Sequence, residues 1–252
     1  MKMFHENMIW HDLKEIKIYT QNIPSNKKKQ AKKTSSIILA ILQYTYNYTQ
    51  GLKRQNAYDA ASILYSDMNW IKKRHLAKAI DEDENVIKPK IGNLYYIDYG
   101  NTFNGEIGYR HHGVCIGKSR NKILIVPTRS GADVFQNSYH PINNPNGKIV
   151  YRQGLQSEGF IKDCVLLIDD IKYISPARID KESGVIDKNA IKDIQLQVFK
   201  NEFPGIYGEM SKRNLKKQGI IDKQKQDIIS LKNEINHLKQ TINNIDKKNK
   251  KR

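Results

Sequence analysis

The spacing of hydrophobic residues changes once along this chain, from a helical period to a strand-like one. In residues 35–79, apolar side chains recur every three or four positions, as one helix face requires. The first stripe consists of Ile38, Ile41, Leu42 and Tyr46. The second consists of Ala60, Ile63, Leu64, Met68 and Ile71. The pattern predicts two helices interrupted near Gly51. Residues 1–24 predict a short amphipathic helix that ends at Pro24.

Beyond Pro89 the period becomes strand-like. The apolar runs LYYID, GVCIG, ILIVP and CVLLI are short and are separated by glycine, asparagine and proline clusters. No helical crossover separates the first three runs, which favours a small barrel over a doubly wound parallel sheet. A helix with an apolar face is predicted over residues 188–203, where Pro204 stops it.

Residues 221–245 carry a heptad pattern. One position is occupied by Ile221, Ile228, Ile235 and Ile242, and the other by Leu231, Leu238 and Ile245, with Gln224 as the polar exception. Isoleucine at a and leucine at d favour a parallel two-stranded coiled coil. The alternative is a helix that docks on its own chain. The predicted organisation is therefore α+β: a helical extension (1–87), a barrel domain (88–205) and a basic coiled-coil helix with its tail (212–252).

Composition changes this picture by pointing to a polyanionic partner. The chain has 252 residues and a net charge of +17, so nucleic acid is the leading partner class. Residues 212–252 hold 13 Lys and Arg against 4 Asp and Glu, so about half of the excess lies outside the barrel domain. The longest apolar run, residues 37–42, is far shorter than the ~20 residues that span a membrane. The first residues lack the long apolar run of a signal peptide, so we expect no signal peptide and a cytoplasmic protein.

The two cysteines, Cys115 and Cys164, have no second cysteine or histidine at the spacing of zinc ligands. Each lies in an apolar run that reads as a strand. We therefore expect reduced thiols in the core and neither a metal site nor a cofactor.

Three segments carry a resemblance to a known family. They are GNLYYIDYGNTFNGEIGYR (92–110), ILIVPTRSG (123–131) and GFIKDCVLLIDDIKYIS (159–175). Together they resemble the PemK/MazF family of toxin endoribonucleases. The resemblance implies a small SH3-like barrel, metal-independent cleavage of single-stranded RNA and no cofactor. It also implies a homodimer, an acidic antitoxin as partner and DNA binding in autoregulation.

The family's G-x-R-P element corresponds to Gly108-Tyr109-Arg110-His111, and the resemblance assigns Arg110 to the scissile phosphate. An arginine suits that role because its planar fork stays charged and engages two phosphate oxygens. The family's hydroxyl residue follows an apolar strand, which here ends in Val126-Pro127-Thr128-Arg129-Ser130. Either Thr128 or Ser130 supplies that hydroxyl.

Further candidate residues surround Arg110 in the sequence. His111 stands in place of the family's proline and His112 follows it, and imidazole is the usual group for proton transfer near neutral pH. Alternation along a strand directs only one of the two toward the groove. His111 is the predicted catalytic histidine, and His112 is placed in the RNA-binding set. Single-stranded RNA is bound by stacking bases on aromatic rings. The predicted RNA-binding set is Tyr99, Phe103, Glu106, Tyr109, His112 and Arg129.

The sequence is also compatible with two other functions. One is a non-catalytic nucleic-acid-binding barrel, which is favoured because Thr128 lies one position earlier than the threonine of the family's V-x-P-x-T-S element and because the family's proline is missing after Arg110. The other is a coiled-coil adaptor or autoregulator. Residues 1–87 lie outside the family pattern and could be an inhibitory cover, a partner-binding element or a stabilising extension.

Overall fold

A computed structural model describes residues 16–21, 23–81 and 83–249, with side chains through residue 239. Its α-helices are α1 (Pro24–Lys28), α2 (Ser35–Lys53), α3 (Ala57–Lys73), α4 (Ala132–Asn137), α5 (Lys188–Glu202) and α6 (Pro204–Asn249). Its strands are β1 (Ala79–Ile80), β2 (Val86–Ile87), β3 (Asn93–Asp98), β4 (Arg110–Ser119), β5 (Lys122–Arg129), β6 (Ser138–Tyr139), β7 (Lys148–Gly154), β8 (Cys164–Leu167), β9 (Lys172–Ile174) and β10 (Ile179–Val185). The fold is mixed α+β, and within those residues the strands do not close into a barrel.

The chain divides into two compact units. The first unit comprises Met1–Lys88, Tyr95–His112 and Ser175–Glu182, and the second comprises Pro89–Leu94, Gly113–Ile174 and Ser183–Arg252. In the first unit, β3 lies between β10 and β4, and β1 pairs with β2 as a separate antiparallel ribbon. In the second unit the order is β4-β5-β8-β7-β6, and β9 pairs with β5. Three strands, β3, β4 and β10, contribute residues to both units.

The second unit folds around apolar side chains. The β4–β5 hairpin pairs Val114 with Val126, and its turn residue Arg120 adopts a positive φ of 51°, as tight hairpin turns require. Helix α5 is capped by Asp187, whose carboxylate accepts hydrogen bonds from the amides of Asn189 and Ala190. It buries Ile191 and Ile194 against the sheet residues of one apolar cluster. The prediction of a helix over 188–203 is confirmed.

Gly159 shows how tightly the second unit is packed. Its φ is 101°, and a Cβ at this position would lie 2.2 Å from the carbonyl oxygen of Val185. Real Cβ atoms do not approach oxygen that closely, so only glycine fits here. The thiols of Cys115 and Cys164 are free and buried, which confirms the expectation of reduced core cysteines. Burial raises the pKa of Cys164 to about 12.

The first unit has a different character. Both predicted helices form, but the break falls at residues 54–56 and Gly51 lies within α2. No residue of α2 is buried, and Ser66 is the buried residue of α3. The apolar stripes that predicted these helices are therefore exposed to solvent to a large degree. Most of the helix predicted over 1–24 lies outside the described residues, and Pro24 begins α1 instead of ending a helix.

Helix α6 extends over 46 residues, and Pro204 is its first residue. The predicted heptad segment lies within it, and its described apolar residues from Ile221 to Leu238 are about half exposed. None of the helices in the described ranges is long and apolar enough to cross a membrane.

Candidate functional site

The loop before Arg110 is closed by backbone hydrogen bonds in the first unit. The amide of Tyr99 donates to the carbonyl of Tyr109 at 2.7 Å, and the amide of Tyr109 donates to Gly100 at 2.8 Å. Tyr109 adopts φ 55°, which is uncommon for a residue with a side chain. A Cβ on Gly108 would lie 2.5 Å from Oγ1 of Thr102. Arg110 therefore follows a tightly constrained turn of the kind found at functional sites.

The guanidinium of Arg110 is held by Asp180, which lies on β10. Nε and Nη2 of Arg110 donate to Oδ2 of Asp180 at 3.0 and 2.7 Å. The Arg110 side chain is 25% exposed, whereas Asp180 is 7% exposed. Burial alone would lower the pKa of Arg110, but the hydrogen bond and charge of Asp180 outweigh it and the pKa lies above its ordinary value. The group stays charged and partly open to solvent.

Aromatic rings enclose the same guanidinium. Nη2 of Arg110 donates to the hydroxyl of Tyr65 at 2.9 Å, and the Tyr65 ring centroid lies 3.8 Å from Cζ. The ring of Tyr96, a residue of β3, lies 5.4 Å from Cζ of Arg110. His112 contacts Tyr96 with a ring separation of 4.9 Å. Of the two adjacent histidines, His112 thus shares an aromatic neighbour with Arg110.

Charged side chains of both signs lie around Arg110. Nζ of Lys73 lies 3.0 Å from Oδ1 of Asp180, and Nζ of Lys181 lies 5.8 Å from the Tyr96 ring. Arg110 and Lys73 therefore share the carboxylate of Asp180. A cavity of about 320 Å³ opens beside these groups, and its charged lining residues are Lys72, Lys73, Asp81 and Asp180. This arrangement can bind an anion such as a phosphodiester.

Asp98 connects β3 to helix α3 in the first unit. It is buried, and its carboxylate accepts hydrogen bonds from Ser66 at 2.8 Å, Asn69 at 2.7 Å and the Gly100 amide at 2.9 Å. Nη1 of Arg178 donates to its carbonyl at 3.0 Å. A second cavity, of about 360 Å³, lies beside these groups and is lined in part by Trp70. Asp98 is thus fully committed to structural contacts.

The other predicted site residues lie in varied surroundings. Phe103 is 85% exposed on the loop and Glu106 is exposed, whereas Tyr99 is 5% exposed and cannot offer its ring face to a base. His111 and Tyr109 are half-buried. Three predicted residues belong to the second unit, where β5 ends: Thr128, which is buried, and Arg129 and Ser130, which are exposed.

Three residues beside Arg110 were not predicted from the sequence: Asp180, Tyr65 and Lys73. Asp180 is 70 positions from Arg110, and Tyr65 is 45 positions away. The one available signal was the run of three charged residues in IDKES (179–183), in a segment with no apolar alternation. That signal does not identify a partner.

The second unit contains a buried charge network of its own. Arg152 is 1% exposed and donates to Asp193 at 2.7 Å and to Glu158 at 2.7 and 2.9 Å. Nε2 of His140 lies 3.4 Å from Oε1 of Glu158, and Nδ1 of His140 accepts hydrogen bonds from two backbone amides. Burial alone would raise the pKa of Glu158, but Arg152 outweighs burial and holds it below its ordinary value. The enclosure and mutual pairing of these groups indicate a structural role.

No group of three or more potential metal-ligating side chains occurs in the described part of the chain.

Comparisons with known proteins give matches among solved structures. Neither a protein-family model nor a curated protein sequence matches this chain. Among solved structures, the Mycobacterium tuberculosis toxin MazF-mt6 is similar over 44% of this chain and 96% of its own, with 8% sequence identity and a TM-score of 0.31. A TM-score of 0.31 is too low to establish a common fold.

Proposed function

We propose that this protein is a sequence-selective endoribonuclease toxin of a toxin-antitoxin pair. It cleaves single-stranded RNA, and Arg110 binds the scissile phosphate. The observation that carries the proposal is a partly exposed guanidinium that shares Asp180 with Lys73 and packs against two aromatic rings. The sequence resemblance to the PemK/MazF family supports it, because the resemblance assigns the phosphate to this arginine. We further propose that the described sheet is an open form of the SH3-like barrel that the same resemblance implies.

In the proposed reaction the ribose 2′-oxygen attacks the adjacent phosphorus, and the bond between phosphorus and the 5′-oxygen breaks. The products are a 2′,3′-cyclic phosphate and a 5′-hydroxyl. Arg110 stabilises the negative charge that develops on the phosphate oxygens. One proton leaves the 2′-hydroxyl and one reaches the departing 5′-oxygen. His112, the histidine that shares Tyr96 with Arg110, is our candidate for one transfer.

The proposed partners follow from charge and from the heptad pattern. A basic protein suits an acidic antitoxin segment and, in autoregulation, DNA. The exposed apolar residues of α6, such as Ile228 and Leu231, suit a parallel pairing of two copies. We retain Thr128 or Ser130, which the resemblance offers, as the candidate hydroxyl residue.

The proposal is tested by incubating the purified protein with end-labelled single-stranded RNA in EDTA and mapping the ends of the products. We expect cleavage that leaves cyclic phosphate and 5′-hydroxyl ends. Arg110→Ala should lower kcat/KM by on the order of 10²–10³-fold, because it removes the charge that stabilises the transition state. Circular dichroism should show that the variant remains folded.

The matched control is Arg213→Ala, which removes an exposed arginine from α6 and should leave cleavage unchanged. Intact RNA with the wild-type protein and also with Tyr65→Ala, which uncovers Arg110, would contradict the proposal. Salt-dependent RNA binding without products would favour the non-catalytic alternative.

A further inference from the structure

We propose that helix α3 is an intramolecular cover of the Arg110 site, which polar contacts hold closed and which RNA displaces. The inference concerns regulation of the site and rests on the proposed endoribonuclease function. It follows from three features of the first unit: what Tyr65 contacts, which face of α3 points inward, and what displacement of α3 would expose.

Tyr65 occupies a position on Arg110 that a phosphate would need. Its hydroxyl accepts from Nη2 at 2.9 Å, and its ring stacks on the guanidinium at 3.8 Å. A phosphate oxygen binds arginine through these same N–H groups. Because Asp180 already accepts from Nε and Nη2, the bond to Tyr65 is the one that an incoming phosphate can replace without separating the ion pair.

The inward face of α3 is polar. Ser66 and Asn69 donate to Asp98, and Lys73 donates to Asp180. These residues recur at a spacing of three and four, which places them on one side of the helix. Asp67 adds an exposed hydrogen bond from Asn101 at 2.8 Å. Four side chains thus tether α3 to the strands and loop that carry Arg110.

The outward face of α3 is apolar. Leu64, Met68 and Ile71 recur at the same spacing and are exposed by 43%, 68% and 65%. The orientation is the reverse of an ordinary surface helix, whose apolar stripe faces the core. When α3 moves away, water replaces its hydrogen bonds and little apolar surface becomes newly exposed. A helix held in this way can open locally while the rest of the protein stays folded.

Kinetics with Tyr65 variants provide the first test. Tyr65→Ala removes the ring and hydroxyl from Arg110, and we expect kcat/KM for single-stranded RNA to rise by on the order of tenfold, since the closed state no longer competes. Tyr65→Phe keeps the ring and should give a smaller rise. Ile71→Ala, on the outward face, should leave the rate unchanged. A decrease with Tyr65→Ala would overturn the inference, because Tyr65 would then assist RNA binding.

Hydrogen exchange provides a second test that does not need cleavage. The full-length protein is mixed with a 2′-O-methyl RNA oligonucleotide, which lacks the attacking hydroxyl, and amide exchange is measured across α3. Displacement predicts faster exchange in residues 57–73 when the oligonucleotide is bound. Slower or unchanged exchange with a bound oligonucleotide would overturn the cover alone. An oligonucleotide that does not bind would contradict the proposed function and the cover with it.

Discussion

In the second unit, helix α5 buries Ile191, Ile194 and Val198, whereas in the first unit helix α3 buries only Ser66. Both helices are amphipathic and both lie on strands of their own unit. Their difference is which face points inward: apolar in α5 and polar in α3. The hydrophobic pattern of a helix therefore marks its faces but does not say which of them a protein will cover.

The contrast has an energetic consequence. Burial of apolar area contributes roughly 25 cal/mol per Å², and the second unit gathers thirteen buried residues into one cluster. Hydrogen bonds exchange with water and contribute about 0.5–1.5 kcal/mol each. We expect α3 to exchange amide hydrogens by local opening, and α5 only when the second unit unfolds. Substitutions in either unit can break or sharpen this comparison.

The largest effect is expected at Arg152 in the second unit. Arg152→Ala would leave the partly buried carboxylates of Glu158 and Asp193 without their buried cation, and breaking a buried ion pair costs about 3–5 kcal/mol. Urea unfolding followed by circular dichroism measures this loss of free energy of unfolding. Lys148→Ala on the same strand is the control, since Lys148 is exposed and should change stability by less than about 0.5 kcal/mol. A loss below about 1 kcal/mol for Arg152→Ala would show that the network does not support the fold.

A smaller effect is expected on acidification. The pKa of Glu158 is lower in the folded protein than its ordinary value, so the folded state binds fewer protons than the unfolded state. Its contribution is fully present above the ordinary carboxyl range and is lost as pH falls through the lower folded value. Thermal unfolding temperatures measured between neutral pH and pH 3 should therefore decline.

Glu158→Gln is the matched variant for this titration. It should begin with lower stability at neutral pH and then lose less on acidification than the wild type. The cap residue Asp187 also has a lowered pKa, so a residual slope is expected. Equal slopes for both proteins would remove Glu158 from this role.

The smallest effect is expected on the outward face of α3. Ile71→Ala should change the free energy of unfolding by less than about 0.5 kcal/mol, because Ile71 is largely exposed. The measurement is urea unfolding at two protein concentrations. A loss of more than about 2 kcal/mol would indicate that another surface covers Ile71 in solution, and a dependence on concentration would identify that surface as a second copy of the chain.

The regular elements were the most predictable part of the fold. Strands β3, β4, β5 and β8 coincide with the four short apolar runs, and α5 follows the predicted helix closely. These elements are recognisable because one face meets the core and alternation or helical spacing records it. Strand β10 was missed because most of its residues are polar. The β1–β2 ribbon was missed because each strand has only two residues.

The candidate site was predictable only where a local motif existed. Arg110 was identified because it ends a short glycine-containing element. Asp180, Tyr65 and Lys73 lie in no motif, and they meet Arg110 through tertiary contacts that a single sequence does not encode locally. Which of His111 and His112 lies on the same strand face as Arg110 likewise could not be read from the sequence. The contact of His112 with Tyr96 indicates that it is His112.

The steric requirement at Gly159 affects how a shared glycine should be interpreted when two sequences are compared. Gly159 begins the third segment that resembles the family, and its missing side chain is dictated by the nearby carbonyl of Val185. Any side chain there would force the backbone to shift, whatever the protein does. A glycine shared at this position by two distant sequences therefore shows that they share this turn. A common enzymatic function has to be judged from residues that the backbone geometry does not restrict.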